Sequence, residues 1–438
     1  MGISKTQINT DTELAEIAWL STQNPAQEFT SLMHHINVGS LRRCFERLDG
    51  RKALGTDKIS KDAYGENLKA NLEELIERMK RMAYRPQAVR QVLIPKEGKK
   101  GATRPLGISN FEDKLIQKRY QEILESIYDP IFLDCSYGFR PRLGCHDAIK
   151  ALHTHLYAKE VETVIDVDLA NFFGTIDHQM LLEMLNRKIK DKKFLRYISR
   201  MLKAGVLANG ELIVSDEGTS QGSCCSPVLA NVAAHYIIDV WIEETVKPLT
   251  EGTIKAFRYA DDLVICCQYS RDAVRVRKAL GKRLEKYKLK LNEEKTKMVT
   301  FSKRQAQLGI KQETFDFLGF TFYLGRSLKG RAIPKLKTIG KRYRSKLKKV
   351  NEWAQKIRNK GKLSDIWKLY CAKLRGHIQY YGVSFNMKAI SKFAHETKRI
   401  LFKWLNRRSQ RKSFNWEKFE LFMKKHPAPD AKIHHKLF

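Results

Sequence analysis

Apolar residues fall at helical spacing from Leu68 onward, at Leu72, Leu75, Met79 and Met82. Tyr84-Arg85-Pro86 breaks that rhythm ahead of the extended run Val89 to Pro95, so the pattern predicts a helix and then a strand. Lys96-Glu97-Gly98-Lys99-Lys100-Gly101 reads as a basic turn into Thr103-Arg104-Pro105-Leu106-Gly107-Ile108, giving a hairpin with Lys96 and Arg104 on its two arms. Both cations could face one phosphate group, or both could be ordinary surface charges. Helical spacing dominates from Asp113 to Ile149, interrupted at Ser136-Tyr137-Gly138-Phe139-Arg140-Pro141. The β-branched run from Val161 to Leu169 reads as a strand, and a helix follows at Gln179 to Lys188. A strand pair runs from Lys255 to Cys267 with Asp261 and Asp262 as the two central residues of its turn. Val276, Leu280, Leu284 and Tyr287 mark a further amphipathic helix, and Thr314 to Tyr323 is an aromatic strand region around Gly319. After Pro334 the pattern becomes helical, with Tyr343, Leu347, Val350, Trp353 and Ile357 on one face, and a domain boundary is placed near residue 330. Strands alternating with helices make the fold class α/β or α+β.

Charge changes the picture at the carboxyl end. The chain of 438 residues has 82 Lys and Arg against 48 Asp and Glu, a net charge of +34, with enough apolar residues (42%) to build real cores. Arg331 to Phe438 holds 30 of the basic and only 6 of the acidic residues. A folded protein with its positive charge so concentrated is expected to bind a polyanion, and nucleic acid is the natural one. The eight cysteines form no CxxC pair, which disfavours a zinc module and leaves them as reduced core thiols. No apolar run is long enough to span a bilayer and no signal-like amino terminus appears, so a soluble, unsecreted, cytoplasmic protein is expected.

The chemistry lies in the acidic pair. Adjacent aspartates in a tight turn repel each other unless a cation sits between them and another ligand, and Asp168, at the end of the Val161–Leu169 strand, is the natural third carboxylate. Asp166, two residues earlier and therefore on the same strand face, competes with it. Hard oxygen donors suit Mg²⁺, with Mn²⁺ as a substitute, and two ions about 4 Å apart would serve an in-line displacement.

Phe257-Arg258-Tyr259-Ala260-Asp261-Asp262, preceded by Asp166-Val167-Asp168-Leu169-Ala170-Asn171-Phe172-Phe173 and by Gln221-Gly222-Ser223-Cys224-Cys225-Ser226-Pro227, resembles the reverse transcriptases encoded by bacterial group II introns. The resemblance runs from about residue 40 to the carboxyl end. It implies an α+β right-hand polymerase: an N-terminal extension in 1–85, fingers in 86–160, a palm in 161–325 and a helical basic thumb or maturase domain in 326–438. Asp168, Asp261 and Asp262 would be the metal-binding carboxylates, with the Leu169 carbonyl an added ligand. Phe173 would be the gate against a ribose 2′-hydroxyl, and a bulky residue there argues for deoxynucleotides over ribonucleotides. Lys96 and Arg104 would grip the incoming triphosphate and Gln221 would sit beside it. Lys295 would protonate the pyrophosphate, with Lys297 as the alternative. Phe317, Leu318 and Gly319 resemble the primer grip, and Gly138-Phe139-Arg140-Pro141 resembles a block beside the template, which places Arg140 and Gly222 near that strand. Leu374-Arg375-Gly376-His377 and Lys403-Trp404-Leu405-Asn406-Arg407-Arg408 resemble the maturase region, so Arg375, Arg407 and Arg408 would contact RNA.

The implied partners are an RNA template, a structured cognate RNA, a DNA or RNA primer and deoxynucleoside triphosphates, with no membrane and no endonuclease module. Ser220, Ser223-Cys224-Cys225 and Gly174 depart from the family pattern. Two biological programmes fit: an intron-encoded enzyme that also assists splicing, or a host-adopted relative in phage defence, DNA repair or CRISPR spacer acquisition. A non-catalytic RNA scaffold is disfavoured because every expected carboxylate is present.

Overall fold

A computed structural model describes residues 12–95, 101, 103–208, 211–219, 222–408 and 415–438. Helices and sheets are mixed, and the chain divides into two units: residues 1–96, 101–148 and 167–297 form one, and residues 97–100, 149–166 and 298–438 the other.

In the first unit, β1 (Val89–Pro95) and β2 (Thr103–Ile108) pair antiparallel, with Ile94 opposite Arg104. The predicted hairpin is therefore present, although Lys96 lies outside the described residues. The third strand, β3 (Thr163–Asp168), has only Val167 and Asp168 in this unit; after it come β4 (Val206–Ala208), which runs parallel to β1, and β5 (Glu211–Ile213), which completes a sheet ordered β2-β1-β4-β5. The helix Phe111–Tyr128 buries Leu115, Ile116, Tyr120, Ile123 and Leu124, the apolar face that its sequence spacing requires.

Strands β6 (Ile254–Tyr259) and β7 (Asp262–Cys267) form the acidic hairpin, and with β3 and β8 (Lys297–Thr300) they make a sheet ordered β6-β7-β3-β8. The turn itself differs from the expectation. Tyr259 pairs with Asp262, so the two central residues of the turn are Ala260 and Asp261, and Asp262 is the first residue of β7. Ala260 takes the left-handed conformation, φ 59°, that such a two-residue turn demands and that alanine seldom supplies.

In the second unit, β9 (Phe315–Phe317) and β10 (Phe320–Arg326) turn back on each other through Leu318 and Gly319, both at positive φ, so the aromatic region is a hairpin rather than one strand. A further strand, β11 (Ala332–Thr338), pairs with β10 along its whole length and carries Pro334 opposite Leu324. The chain thus stays extended beyond Pro334, and helix begins only at Gly340. Proline is tolerated because β11 is an edge strand of a sheet ordered β11-β10-β9, where its missing N–H breaks no ladder. The helices Gly340–Ile357, Leu363–Tyr381, Met387–Leu405 and Trp416–Lys425 enclose an aromatic core that includes Trp367, Tyr370, Phe393, Trp404 and Phe419, against which Tyr343, Leu347, Val350, Trp353 and Ile357 pack as their spacing predicts.

All eight cysteines are free, and burial, followed by neighbouring carboxylates, pushes the thiols of Cys44, Cys135 and Cys267 up to about 12. Those three thiols stay protonated and unreactive at physiological pH. Among the described residues no helix is long and apolar enough to cross a membrane.

Candidate active site

Strand order places β3, which ends at Asp168, next to β7, which begins at Asp262. Asp261 is exposed at the turn and Asp262 is half-buried. The Asp168 carboxylate meets the Lys295 ammonium at 3.1 and 3.2 Å, while its backbone carbonyl accepts from Asn292 N–H at 2.8 Å and its N–H donates to Thr296 Oγ1 at 3.3 Å. The segment that follows Asp168 is thereby clipped to the 290–296 loop, with Leu169 bridged to Leu291. Both Asp168 and Lys295 side chains are close to half exposed, so their ion pair contributes little to stability. Of the two lysines considered, Lys295 is the one that reaches the carboxylate, whereas Lys297 starts β8 with an exposed side chain. Among the described residues, no group of three or more His, Cys, Asp or Glu is arranged to hold a metal ion.

The turn is built on a buried polar network that the sequence does not disclose. Arg258 and Asp239 are buried, and they meet as a two-pronged pair: Nε donates to Oδ1 at 2.7 Å and Nη2 to Oδ2 at 2.5 Å. The guanidinium also donates to Asn231 Oδ1 at 2.9 Å, Ser136 Oγ at 2.7 Å and the Ala260 carbonyl at 3.2 Å. Its last bond holds the carbonyl that precedes Asp261. Asp239 is delivered by a π-helical turn, His235–Asp239, that interrupts the helix begun at Ser226, a distortion often found near functional sites.

The segment at 135–138 runs beside β6, with Arg258 N–H donating to the Cys135 carbonyl and Tyr137 N–H to the Arg258 carbonyl. Gly138 ends that run against the turn. A Cβ there would lie 2.3 Å from the Ala260 nitrogen, and the Gly138 carbonyl accepts from Asn231 Nδ2 at 2.7 Å. Glycine is needed for this close approach.

Phe173 is buried, edge-on to Phe139 with ring centroids 6.4 Å apart, and its carbonyl accepts from Thr219 N–H at 2.7 Å. Phe139 is 48% exposed and also neighbours Tyr259. Arg140 turns inward: Nε donates to Asp129 Oδ1 at 2.7 Å, and the terminal nitrogens donate to the carbonyls of Asp129, Leu133 and Ser136. It clamps its own loop, and Phe139 is the member of the block that faces outward. A Cβ on Gly222 would lie 2.3 Å from the Gly107 carbonyl of β2, so that glycine lets its backbone approach the strand that carries Arg104. Arg104 is exposed; Gln221 and Ser220 lie outside the described residues. Gly174 has Asn171 folded over it, where a Cβ would meet the amide at 2.3 Å.

In the second unit, Phe317 and Leu318 are buried. The Leu318 carbonyl accepts from the Tyr380 hydroxyl at 2.8 Å, and Ile339 N–H donates to the Gly319 carbonyl. Arg375, Arg407 and Arg408 are exposed, and a basic groove of about 1280 Å³ is lined by Arg399, Lys403, Arg407, Arg408, His395 and Trp416.

Residues 94–322, more than half of the chain, match the family model for reverse transcriptase (RNA-dependent DNA polymerase), and residues 343–422 match that for the group II intron, maturase-specific domain. The chain therefore belongs to the reverse transcriptase family and is an RNA-directed DNA polymerase of the group II intron type. It is 28% identical over 463 residues to the group II intron-encoded protein LtrA of Lactococcus lactis subsp. cremoris, covering 87% of this chain and 75% of that protein. It is 32% identical over 186 residues to protein YkfC of Escherichia coli (strain K12), covering 42% and 48%. It is 36% identical over 172 residues to an uncharacterized 91 kDa protein in a cob intron of Schizosaccharomyces pombe, covering 39% and 21%.

Proposed function

We propose that the chain extends a DNA or RNA 3′ end on an RNA template at a centre held by Asp168, Asp261 and Asp262, and that it assists the splicing of an intron RNA bound through its basic helical unit. Three carboxylates on the adjacent strands β3 and β7 and on the turn that leads into β7, inside the region that matches the polymerase family, support this reading most directly. In the right-hand arrangement, 86–160 are the fingers, 161–325 the palm and 326–438 the thumb.

The donor set suits a hard divalent cation, because all three side chains offer carboxylate oxygens and Asp168 already accommodates the positive charge of Lys295. Asp168, Asp261 and Asp262, with the Leu169 carbonyl, would hold two Mg²⁺, which would activate the 3′-hydroxyl and offset charge on the leaving pyrophosphate. The chain's own residues do the rest. Arg104 faces triphosphate oxygens from β2, a task the family resemblance shares with Lys96 and Gln221, Phe173 closes the sugar side under Phe139, and Lys295 places a proton within reach of the carboxylate end of the site.

Asp261→Asn removes one anionic donor and leaves the turn isosteric. Primer extension in Mg²⁺ is expected to be lost while RNA binding persists. Extension at the wild-type rate would refute the assignment.

A further inference from the structure

The helical unit contains a second pocket, which the polymerase chemistry does not use. It lies among the helices Gly340–Ile357, Leu363–Tyr381 and Met387–Leu405 and encloses about 350 Å³, within the roughly 300–1,000 Å³ usual for small-ligand sites. Trp353, Leu374 and Phe393 give it apolar walls. His377 lies within it at 6% exposure, stacked on Phe393 with centroids 3.5 Å apart and planes 14° from parallel.

Neither ring nitrogen of His377 has a hydrogen-bond partner among the described residues, which is rare for a group so buried. Burial, and then the charge of Lys346, pulls its pKa down to about 3. The ring is therefore neutral at physiological pH, with one donor and one acceptor available. Beside it stands Gly376, inside a 19-residue helix, where a glycine weakens the helix relative to alanine. Nothing lies within 4 Å of the Cβ it lacks, so no crowding accounts for the glycine. Gly376 lines the pocket. The pocket is also lined by Lys346, Lys349 and Lys373, with Lys373 Nζ 5.3 Å from the Trp353 ring, and among the described residues no carboxylate lines it.

Flat apolar walls, an unused hydrogen-bonding edge and three cations match one ligand chemistry: a nucleobase that carries a phosphate. We propose that this pocket takes an unstacked nucleotide of a structured RNA, its base against Trp353, Phe393 and His377 and its phosphate at the three lysines. The proposal rests on the reading that the helical unit binds RNA.

The full chain, labelled at its histidines, is titrated with AMP, GMP, CMP and UMP, and separately with ribose 5-phosphate and inorganic phosphate. His377→Phe assigns the resonance. At least one nucleotide is expected to shift the His377 ring signals while the two base-free probes do not, and Gly376→Leu, which fills the space, is expected to abolish the shift. In parallel, RNA hairpins with unpaired loops are compared with a fully paired duplex, the loop source being distinguished in this way from a free nucleotide. Gly376→Leu should weaken hairpin binding roughly tenfold, the scale of one base stacked on aromatic rings, and leave duplex binding in place. A shift as large with inorganic phosphate, or no shift with any nucleotide, overturns the proposal. Wild-type hairpin binding that Gly376→Leu leaves unchanged overturns the pocket but not RNA binding, and absence of hairpin binding by the wild type overturns both.

Discussion

Replacing Arg258 with methionine tests whether the buried network, rather than the turn sequence alone, holds the Asp261 carboxylate in place. Five hydrogen bonds converge on the guanidinium, two of them to an Asp239 carboxylate that is 1% exposed. Losing one member of such a pair strands the other charge in the interior and costs about 3–5 kcal/mol, a large share of the 5–15 kcal/mol typical of a folded domain. The double variant Arg258→Met/Asp239→Leu strands no charge. It should recover about half of that loss, with Ser136 and Asn231 still short of a donor. Urea unfolding of the two single variants and the double variant measures the coupling. Activity is read separately, on Arg258→Lys, which keeps the charge but cannot make the fork or reach the Ala260 carbonyl as well. The turn should then loosen, and the Mg²⁺ concentration for half-maximal primer extension should rise severalfold. A role confined to folding would lower the amount of active enzyme without moving that midpoint. Strictly additive stability losses together with an unshifted Mg²⁺ midpoint would refute the reasoning.

Other substitutions probe neighbouring groups. Gly138→Ala forces a Cβ to within 2.3 Å of the Ala260 nitrogen, so the turn must move; extension should fall at least roughly tenfold while the fold, followed by circular dichroism, persists. Phe173→Ala opens the sugar side of the site, costs roughly 3–5 kcal/mol in stability, and should admit ribonucleotides; unchanged sugar selectivity in competition assays would show that the gate lies elsewhere. Changing Arg399, Lys403 and Arg407 to Gln should lower the log–log slope of RNA affinity against salt by about 0.7–0.9 for each phosphate no longer neutralised, and an unaltered slope would place the RNA on another surface.

Much of the fold is visible in local pattern because its elements obey local rules. The helices at 68–80 and 340–357 follow from apolar spacing, and β6 and β7 from β-branched and aromatic runs. Failures occur where tertiary context overrides the local signal. The pattern turns helical after Pro334, yet the chain stays in β11 to Thr338, where an edge strand tolerates the proline. Asp261 and Asp262 read as the two central residues of a turn because alanine is a poor choice at positive φ. The structure puts Ala260 there, with Arg258 holding its carbonyl and the missing side chain of Gly138 leaving room for it.

The candidate site divides along the same line. Carboxylates are legible because the chemistry demands that residue type at fixed places, so spacing within a motif carries the information. Their support is not legible, since Ser136, Asn231, Asp239 and Arg258 are scattered over more than a hundred positions, share no period, and depend on a π-helical turn to bring Asp239 into range. Charge alone is an equally poor guide to direction. The family resemblance puts Arg140 beside the template, and its guanidinium serves Asp129 and the loop's own carbonyls, while the apolar Phe139 next to it is left facing outward. In a chain this basic, the informative question about each Arg or Lys is which oxygen atoms of the protein have already claimed it. Arg258 and Arg140 are so claimed.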